Sequence, residues 1–446
     1  MPENGPGTAQ WTVDEIFDPQ SAQFLSCPYA AYAKTRATIP VAHHGGFDEW
    51  IVTGREELLA VLREDERLTS RHNLDGHVPL APRARAVLER TLFFQPALYN
   101  VAGPEHSRFR TFISEYFTPR GLRALEPSIR AIARDLAGGL SASGTGDLLK
   151  DFAYPLPYTV IGEVIGIPTA DRATVKEWNN AWLALQVVPL PEEQQTAMAE
   201  GLLAYEDYLR ALLLSRAGQE TSEGAGGTDL ASGLYRATLG DEPLCTLDQA
   251  IVSLRFMIAA GHETTTNLIA NAVHQLLAVP ERWQALAEDH ASAAAAVEET
   301  LRYDSSVQGA LRVAAEQVRI GDVDLPAGSR VRVMFAAAGR DPAQFQDPDE
   351  FRLDREGPPR HLGFGFGAHF CVGAPLARLE ARIALETLAA ALPGLRLADD
   401  FQPEYLPGGF IFHALAALPV AWSPRDAASG PATPAEPVGA SGSATL

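Results

Sequence analysis

The chain of 446 residues carries a formal net charge of −20, and 46% of its residues are hydrophobic. This composition suits a globular protein with a large core, while the acidity argues against nucleic acid or an anionic membrane as a partner, since both attract basic surfaces. The three cysteines, Cys27, Cys245 and Cys371, are too few and too scattered for a disulfide framework, a zinc site or an iron–sulfur cluster.

The two ends of the chain differ from its body in composition. Residues 1–10 and 423–446 are rich in Pro, Ser, Gly and Ala and poor in large apolar residues, so we predict that both ends are disordered and that residues 11–422 fold. The N-terminus lacks a basic segment followed by an apolar run, and no stretch approaches a transmembrane span. We therefore expect a soluble, cytoplasmic protein.

The N-terminal third predicts a helix over residues 28–35 and a β-hairpin over residues 41–53. Residues 68–103 then show little periodicity, and a loop of that length in a compact domain is usually functional. In the helix that follows, His106 and Arg110 are four residues apart and share one face, where they could bind an anion. The ordinary alternative for such a pair is a solvated face.

The longest predicted helix begins at Thr246, where the sequence TLDQ is typical of a capping box, and continues to Val279. At about 1.5 Å per residue it would be a rod of roughly 50 Å. In its apolar middle stand Glu263 and Thr264, next to Gly261, which weakens the same turn. Such local departures from the pattern indicate function; the alternative is a threonine bonded back to its own helix and a glutamate paired with an arginine.

The segment after this helix predicts a short helix followed by strands. Glu299 and Arg302 stand at i and i+3, a spacing that ordinarily gives a surface salt bridge. Residues 309–313, which include Arg312, and residues 318–333 predict short strands separated by turns.

Cys371 lies in a glycine-rich segment, which we call the cysteine loop (residues 361–373), directly before a predicted helix that stops near Pro393. The positive end of a helix favours a thiolate over a thiol.

Four interpretations of this loop remain open. The cysteine could be an incidental buried residue. The glycines Gly363 and Gly365 with Ala368 fit a nucleotide-binding pattern, although no β-strand is predicted before them. The cysteine could also be a nucleophile, which requires a histidine base, or a thiolate ligand to haem iron.

The sequence FGFGAHFCVG around Cys371 resembles the haem-binding signature of the cytochrome P-450 monooxygenases. Three further segments resemble that family in the same chain order: the helix with His106 and Arg110, the AGHET segment that contains Glu263 and Thr264, and the ExxR motif at residues 299–302. The resemblance spans roughly residues 25–422. It implies a single domain, mainly α with small β-sheets, in which haem lies between the long helix and the cysteine loop.

The resemblance also implies roles for individual residues. Glu263 and Thr264 would relay protons in oxygen activation, and Glu299 with Arg302 would brace the cysteine loop, with either Arg352 or Arg355 as a third member. Cys371 would be the axial iron ligand, four basic residues would neutralise the haem propionates, and two small residues of the long helix would leave room for oxygen. The implied cofactor-binding residues are His106, Arg110, Ala260, Gly261, Arg312, Phe364, Gly365, His369, Cys371 and Gly373.

The activity implied is insertion of one oxygen atom from O2 into a bulky apolar small molecule, by hydroxylation or epoxidation, in bacterial secondary metabolism such as antibiotic biosynthesis. The cofactor would be haem b, and because no flavin or iron–sulfur motif is present, electrons would come from NAD(P)H through a ferredoxin reductase and a ferredoxin. We expect a monomer. The predicted ferredoxin surface is a basic patch formed by Arg110, Arg120, Arg123, Arg378 and Arg382. The predicted substrate pocket consists of Leu98, Tyr99, Val101, Met257, Val307, Phe410 and Ile411.

Two other classes of function stay open at this point. A haem-thiolate peroxygenase or isomerase would use the same ligand without external electrons, although the intact Glu263 and Thr264 pair favours dioxygen chemistry. A nucleotide-binding dehydrogenase would use the glycines of the cysteine loop instead.

Overall fold

The computed structural model describes residues 12–19, 21–71, 78–140, 144–217, 229–357, 360–406 and 410–423. The predictions of disorder for residues 1–10 and for the tail from residue 424 onwards lie outside the described residues.

Helices form most of the described structure, as predicted. Sixteen α-helices lie within the described residues, and they are α1 (Val13–Ile16), α2 (Ala22–Ser26), α3 (Pro28–Thr38), α4 (Arg55–Arg63), α5 (Pro82–Leu88), α6 (Gly103–Ser114), α7 (Pro119–Gly138), α8 (Pro155–Ile165), α9 (Arg172–Val187), α10 (Glu192–Leu214), α11 (Leu230–Ala237), α12 (Leu247–Leu277), α13 (Pro280–Glu288), α14 (Ala293–Tyr303), α15 (Phe335–Gly339) and α16 (Ala374–Ala391).

The strands form small sheets at the edge of the helical body. They are β1 (Val41–His44), β2 (Glu49–Val52), β3 (Leu68–Thr69), β4 (Thr145–Asp147), β5 (Ala310–Ala314), β6 (Val318–Ile320), β7 (Val323–Leu325), β8 (Arg330–Val333), β9 (Arg396–Leu397) and β10 (Pro419–Ala421). One sheet has the order β1-β2-β8-β5-β3, a second has the order β4-β10-β9, and β6 and β7 form a two-stranded ribbon. In the largest sheet only β2 and β8 run parallel, and the other neighbouring strands are antiparallel.

The long helix α12 is the central element of the fold. Its predicted capping box is confirmed: the Thr246 side chain accepts a hydrogen bond from the Gln249 backbone, and the Gln249 side chain accepts one from Thr246 N–H. Apolar residues occupy most of its circumference, and it packs against α8, α14 and α16. A helix that is apolar round most of its circumference must be buried, which places α12 in the core.

The segment 68–103 is more ordered than its weak periodicity predicts. It contains α5 and a short 3-10 helix at Leu98–Asn100. Pro82 stands in the first turn of α5, and Ala84 and Leu88 on one face of the helix are buried. The prediction of one long loop is therefore wrong for residues 82–88.

Among the described residues, no helix has the length and apolar character needed to cross a membrane.

Candidate active site

A cavity of about 380 Å³ lies between α12 and the cysteine loop. All of the residues that the sequence places around a cofactor, and both proposed proton-relay residues, line this cavity. Cys371, just before α16, lies on one side of the cavity, and Ala260 and Thr264 of α12 lie on the other side. Residues that are as many as 267 positions apart in the sequence, His106 and Gly373, therefore meet at one site.

The cysteine loop owes its shape to glycines at two positions. Gly365 and Gly367 have φ angles of +71° and +72°, a conformation that residues with a side chain rarely adopt. A Cβ atom on Gly367 would also lie 2.6 Å from the backbone oxygen of Leu62 on α4. The loop then closes with a hydrogen bond from the Cys371 amide to the Phe364 carbonyl, 2.9 Å long. This tight turn presents the sulfur to the cavity.

The thiol of Cys371 sits at the N-terminus of α16, as predicted. Burial raises the pKa of Cys371 above its ordinary value, although the backbone N–H groups of Gly373 and Ala374 and the Arg110 guanidinium lower it. The helix end lowers the pKa of Cys371, as predicted, but burial is the larger effect and the net pKa is raised. A bound metal ion deprotonates a coordinating thiol directly, and it would supply the missing stabilisation of the thiolate.

One end of the cavity is lined by basic side chains. Arg312 is 5% exposed, and within the described part of the chain no carboxylate lies within ion-pair distance of its guanidinium. Burial lowers the pKa of Arg312 only to about 10, so the group keeps its charge at neutral pH. His106 is buried with Nε2 lacking a hydrogen-bond partner, and its ring lies 4.2 Å from that of His369. This end of the cavity is therefore suited to an anion that would satisfy these groups.

Asp65 is a member of this cluster that sequence reasoning missed. Its carboxylate lies 2.5 Å from Nε2 of His369, which is also 3.1 Å from the Ser70 hydroxyl. Burial raises the pKa of Asp65, but the hydrogen bond and charge of His369 outweigh this, and the net pKa is lowered. Burial and His369 also lower the pKa of His106 to about 4. No local pattern marks Asp65, since it lies 304 residues from His369.

The centre of α12 places an acid and a hydroxyl at the cavity wall. The Thr264 hydroxyl donates a 2.8 Å hydrogen bond to the carbonyl of Ala260, so its remaining lone pairs can accept hydrogen bonds. Oε1 of Glu263 lies 3.0 Å from Nε2 of His262, and no arginine among the described residues forms an ion pair with Glu263. A Cβ atom on Gly261 would lie 2.4 Å from the side chain of Ile161, so the small size of Gly261 allows α8 to pack closely against α12.

The pair Glu299 and Arg302 is buried behind the loop and does not line the cavity. Arg302 donates to both oxygens of Glu299, at 2.7 and 2.8 Å, and to the carbonyls of Gly339 and Pro348. The third member is Arg355, whose Nε donates to both Glu299 oxygens at 3.0 and 3.1 Å.

Arg352 contributes only its backbone N–H to this carboxylate, at 2.7 Å, while its side chain pairs with Asp347 and Asp354. The sequence leaves open whether Arg352 or Arg355 joins Glu299 and Arg302, and in the structure it is the side chain of Arg355.

Four of the seven residues of the predicted substrate pocket lie at this cavity. Tyr99, Met257, Val307 and Ile411 line the cavity. Leu98, Val101 and Phe410 are buried elsewhere and do not line it.

Two of the three exceptions have a clear cause in the packing. Leu98 belongs to the main hydrophobic core. Phe410 packs against the N-terminal aromatic residues, with ring centroids 5.4 Å from Phe47 and 5.7 Å from Phe24. The sequence predicts that these residues are buried, but not which buried surface they contact.

Helix α9 supplies lining residues that the predicted pocket lacks, namely Trp182, Leu183, Gln186 and Val187. No β-strand lies directly before the glycines of the cysteine loop, in the described residues between 340 and 362, so the strand, loop and helix arrangement of a nucleotide site is not present there.

Comparison with known proteins identifies the family. The family model described as Cytochrome P450 matches residues 170–390. The chain is 37% identical to "Cytochrome P450 monooxygenase PikC" of Streptomyces venezuelae, over 90% of this chain and 92% of that relative. It is 36% identical to "Biotin biosynthesis cytochrome P450" of Bacillus subtilis (strain 168), over 90% of this chain and 97% of that relative. The chain belongs to the cytochrome P450 family, and it is a monooxygenase of that family.

Solved structures agree with this assignment. Cytochrome P450 CREJ in complex with (4-ethylphenyl) dihydrogen phosphate has a TM-score of 0.82 at 32% identity, covering 89% of this chain and 98% of that one. P450BioI in complex with an acyl carrier protein that bears hexadec-9Z-enoic acid has a TM-score of 0.76 at 35% identity, covering 90% and 100%. The predicted cytochrome P-450 fold, mainly α with small β-sheets, is confirmed.

The residues of the cavity fit the haem that the family implies. A sulfur donor, Cys371, stands on one wall, and one end holds Nε2 of His106, which lacks a hydrogen-bond partner, and the guanidinium of Arg312, which has no carboxylate partner among the described residues. A haem has the matching groups, an iron that binds a thiolate and two propionates that bind cationic donors.

Proposed function

We propose that this enzyme inserts one oxygen atom from O2 into a bulky, apolar small molecule in bacterial secondary metabolism, using haem b and electrons from a ferredoxin. The observation that supports it most directly is the convergence of Cys371, the four basic residues and the pair Glu263 and Thr264 on one cavity. In this proposal the folded domain corresponds to residues 11–422.

The cofactor contacts are assigned residue by residue. Cys371 would bind the iron, and His106, Arg110, Arg312 and His369 would contact the propionates. When bound, the haem supplies the redox chemistry that activates dioxygen, and the thiolate ligand favours cleavage of the O–O bond. Phe364, Gly365 and Gly373 shape the loop that holds the sulfur in place, while Ala260 and Gly261 form the facing wall.

The protein itself handles protons and water at the α12 wall. Thr264 offers hydroxyl lone pairs to the cavity, because its hydrogen is donated to the Ala260 carbonyl. Glu263 lies on the same wall, and its side chain is 25% exposed, so it can exchange protons with solvent and pass them inward. This pair favours dioxygen chemistry over a peroxygenase or isomerase, neither of which requires delivery of external protons.

The substrate side of the cavity is mainly apolar. Aromatic and aliphatic residues from several elements meet there: Tyr99, Ile161, Trp182, Val187, Phe256, Met257, Val307 and Ile411. Burial of apolar surface against such walls favours a bulky hydrophobic ligand. The name "Vitamin D(3) 25-hydroxylase", carried by a relative 34% identical over 93% of this chain, is consistent with that class of substrate.

The arginines of the proposed ferredoxin surface differ in whether an acidic side chain compensates their charge. Arg378 is bound to Glu298 at 2.5 Å, and Arg382 is bound to Glu386 at 3.0 Å, so their charges are largely compensated. Arg120 and Arg123, at the start of α7, are exposed and form no ion pair with any described residue. Because α7 packs against α16, which follows Cys371, these two arginines are the better candidates for steering an acidic partner.

A charge-reversal experiment tests this surface. The double variant Arg120→Glu/Arg123→Glu should be reduced by a ferredoxin more slowly than the wild type, by about an order of magnitude at low salt, with a weaker salt dependence. The control Arg85→Glu/Arg319→Glu makes the same charge change on α5 and β6 and should leave the rate unchanged. Equal rates for the two double variants would refute the assignment.

The function itself is tested by the spectrum of the reduced protein under carbon monoxide. A thiolate-ligated haem gives a red-shifted Soret band, and we expect this band in the wild type and its loss in Cys371→Ala. Persistence of the band in that variant would overturn the proposal. Product formation with hydrogen peroxide at the rate obtained with O2 and a ferredoxin would favour the peroxygenase instead.

A further inference from the structure

His262 is a buried histidine on α12 whose two ring nitrogens both have partners. Its side chain is 0% exposed. Nδ1 lies 2.7 Å from the carbonyl oxygen of Ile258, one turn earlier. Nε2 lies 3.1 Å from the hydroxyl of Tyr154 and 3.0 Å from Oε1 of Glu263.

The contact with Glu263 is not a consequence of helix geometry. Consecutive residues on an α-helix do not face each other, so the side chains of His262 and Glu263 would normally diverge. Here they turn toward one another around the helix. Packing alone would not require this contact, because the Ile258 carbonyl and the Tyr154 hydroxyl already give each nitrogen a partner.

The position of the ring hydrogen follows from the partners. A carbonyl oxygen only accepts, so Nδ1 of His262 carries a hydrogen and donates it to Ile258. Nε2 is then the nitrogen that gains and loses a proton, and it faces a carboxylate oxygen of Glu263. These two atoms lie at ion-pair distance, and a single proton can be held either by Nε2 or by the carboxyl group.

Tyr154 can adapt to either arrangement. Its hydroxyl lies 3.1 Å from Nε2 of His262 and 3.3 Å from Oδ1 of Asn180. It donates to Nε2 when that nitrogen is bare and to Asn180 when Nε2 is protonated. Burial, followed by the charge of Glu263, raises the pKa of the Tyr154 hydroxyl, which therefore remains a donor.

The other charged and titratable groups around the ring are few. Tyr158 packs edge-on against His262, with ring centroids 5.1 Å apart, but its hydroxyl donates to the Arg172 carbonyl. Lys176 on α9 lies 3.9 Å from the centre of the Tyr154 ring.

We propose that His262 is a positioning residue that fixes the carboxylate of Glu263 and shares with it the proton that Glu263 delivers to the cavity. The proposal rests on the proposed function of Glu263 and extends it to a second residue. When the shared proton leaves the carboxyl group for an acceptor in the cavity, Nε2 is left bare and accepts the Tyr154 hydroxyl hydrogen bond. One proton from solvent, arriving through the partly exposed carboxylate, restores the pair; no bond between heavy atoms changes.

The primary test replaces the histidine in the haem-loaded enzyme. In His262→Gln an amide can still hold the carboxylate but cannot bind the shared proton. We expect haem content, the carbon monoxide band and the substrate-induced spin shift to match the wild type. The fraction of consumed O2 that appears as product should fall severalfold, and the solvent deuterium isotope effect on turnover should rise. The alkaline decline of turnover should begin at a lower pH than in the wild type. The matched control is His274→Gln, on the same helix but away from the cavity.

A second variant covers the case in which His262→Gln does not fold. Tyr154→Phe keeps the ring and removes only the hydroxyl that stabilises bare Nε2, so the pair should hold its proton to higher pH. Loss of one hydrogen bond predicts that the alkaline limb of turnover moves up by roughly half to one pH unit. Tyr158→Phe is its control, because that hydroxyl serves a backbone carbonyl elsewhere.

The outcomes separate this proposal from the function on which it rests. If the wild type lacks the thiolate band or does not turn over with O2, the proposed function fails. If the wild type is active while His262→Gln and Tyr154→Phe reproduce its isotope effect and pH profile, or if the controls change as much as they do, the role of His262 is refuted.

Discussion

The buried carboxylate of Glu299 gives the sharpest stability prediction. It accepts two hydrogen bonds from Arg302 and further bonds from Nε of Arg355 at 3.0 and 3.1 Å. Arg355 also donates to three backbone carbonyls of residues 346–350, at 2.6 to 2.8 Å. Its side chain is 18% exposed and that of Glu299 is 4% exposed, so solvent replaces these contacts poorly.

We therefore predict that Arg355→Leu destabilises the protein by about 2–3 kcal/mol. Hydrogen bonds to charged groups contribute about 1.5–3 kcal/mol, and Arg302 remains to compensate Glu299, which keeps the loss below that of an isolated buried charge. The segment that carries Arg355 directly precedes the cysteine loop, so the variant should also release haem faster.

The matched control is Arg352→Leu, three residues earlier in the same segment. Within the described part of the chain the Arg352 side chain pairs only with Asp347 and Asp354, whose side chains are 48% and 74% exposed. Its backbone contact with Glu299 survives the substitution. Denaturation by urea, followed by tryptophan fluorescence, and haem transfer to apomyoglobin measure the two effects. Equal midpoints and equal haem-loss rates for the two variants would refute the reasoning.

Three further predictions follow from the site and its support. Thr264→Ala should raise the ratio of O2 consumed to product formed, while the substrate-induced spin shift is kept. If every O2 consumed still gave product, the Thr264 hydroxyl would have no role in the reaction. Gly261→Ala should cost about 1–3 kcal/mol in urea denaturation, since the new Cβ would lie 2.4 Å from Ile161, and the double variant Gly261→Ala/Ile161→Ala should lose less stability than the two single variants summed, because the clash is relieved. Burial raises the pKa of Glu298, but hydrogen bonds from a histidine and an arginine lower it to about 2 from 4.5. Glu298→Gln should therefore lose about 3 kcal/mol at neutral pH, and its difference from the wild type should vanish as the pH falls from about 4.5 to 2.

The sequence determined those features whose signal is local. The capping box at Thr246, the glycines before Cys371 and the acid and hydroxyl in an apolar helix are each readable within a few residues, because a cap, a turn or a buried polar group constrains its immediate neighbours. The resemblance of four short motifs to one family then predicted the fold, which the comparisons confirm. Periodicity was a weaker guide where a proline-initiated helix, α5, interrupts an irregular segment.

Only the tertiary structure decided which distant groups meet. Either Arg352 or Arg355 could have reached Glu299, and the path of the backbone selects the second. The residues next to Asp65 in the sequence give no signal that it binds His369.

The same holds for burial, which depends on every surrounding element. Leu98 and Phe410 are apolar like the true lining residues, but they pack against the core and the N-terminal aromatic residues. Burial also reverses the expectation for Cys371, because desolvation of the thiolate outweighs the helix N-terminus that the sequence reveals. Caps, turns and buried polar groups can be predicted from neighbouring residues. The distances between residues far apart in the sequence, and the dielectric environment of each group, are set only when the whole chain has packed.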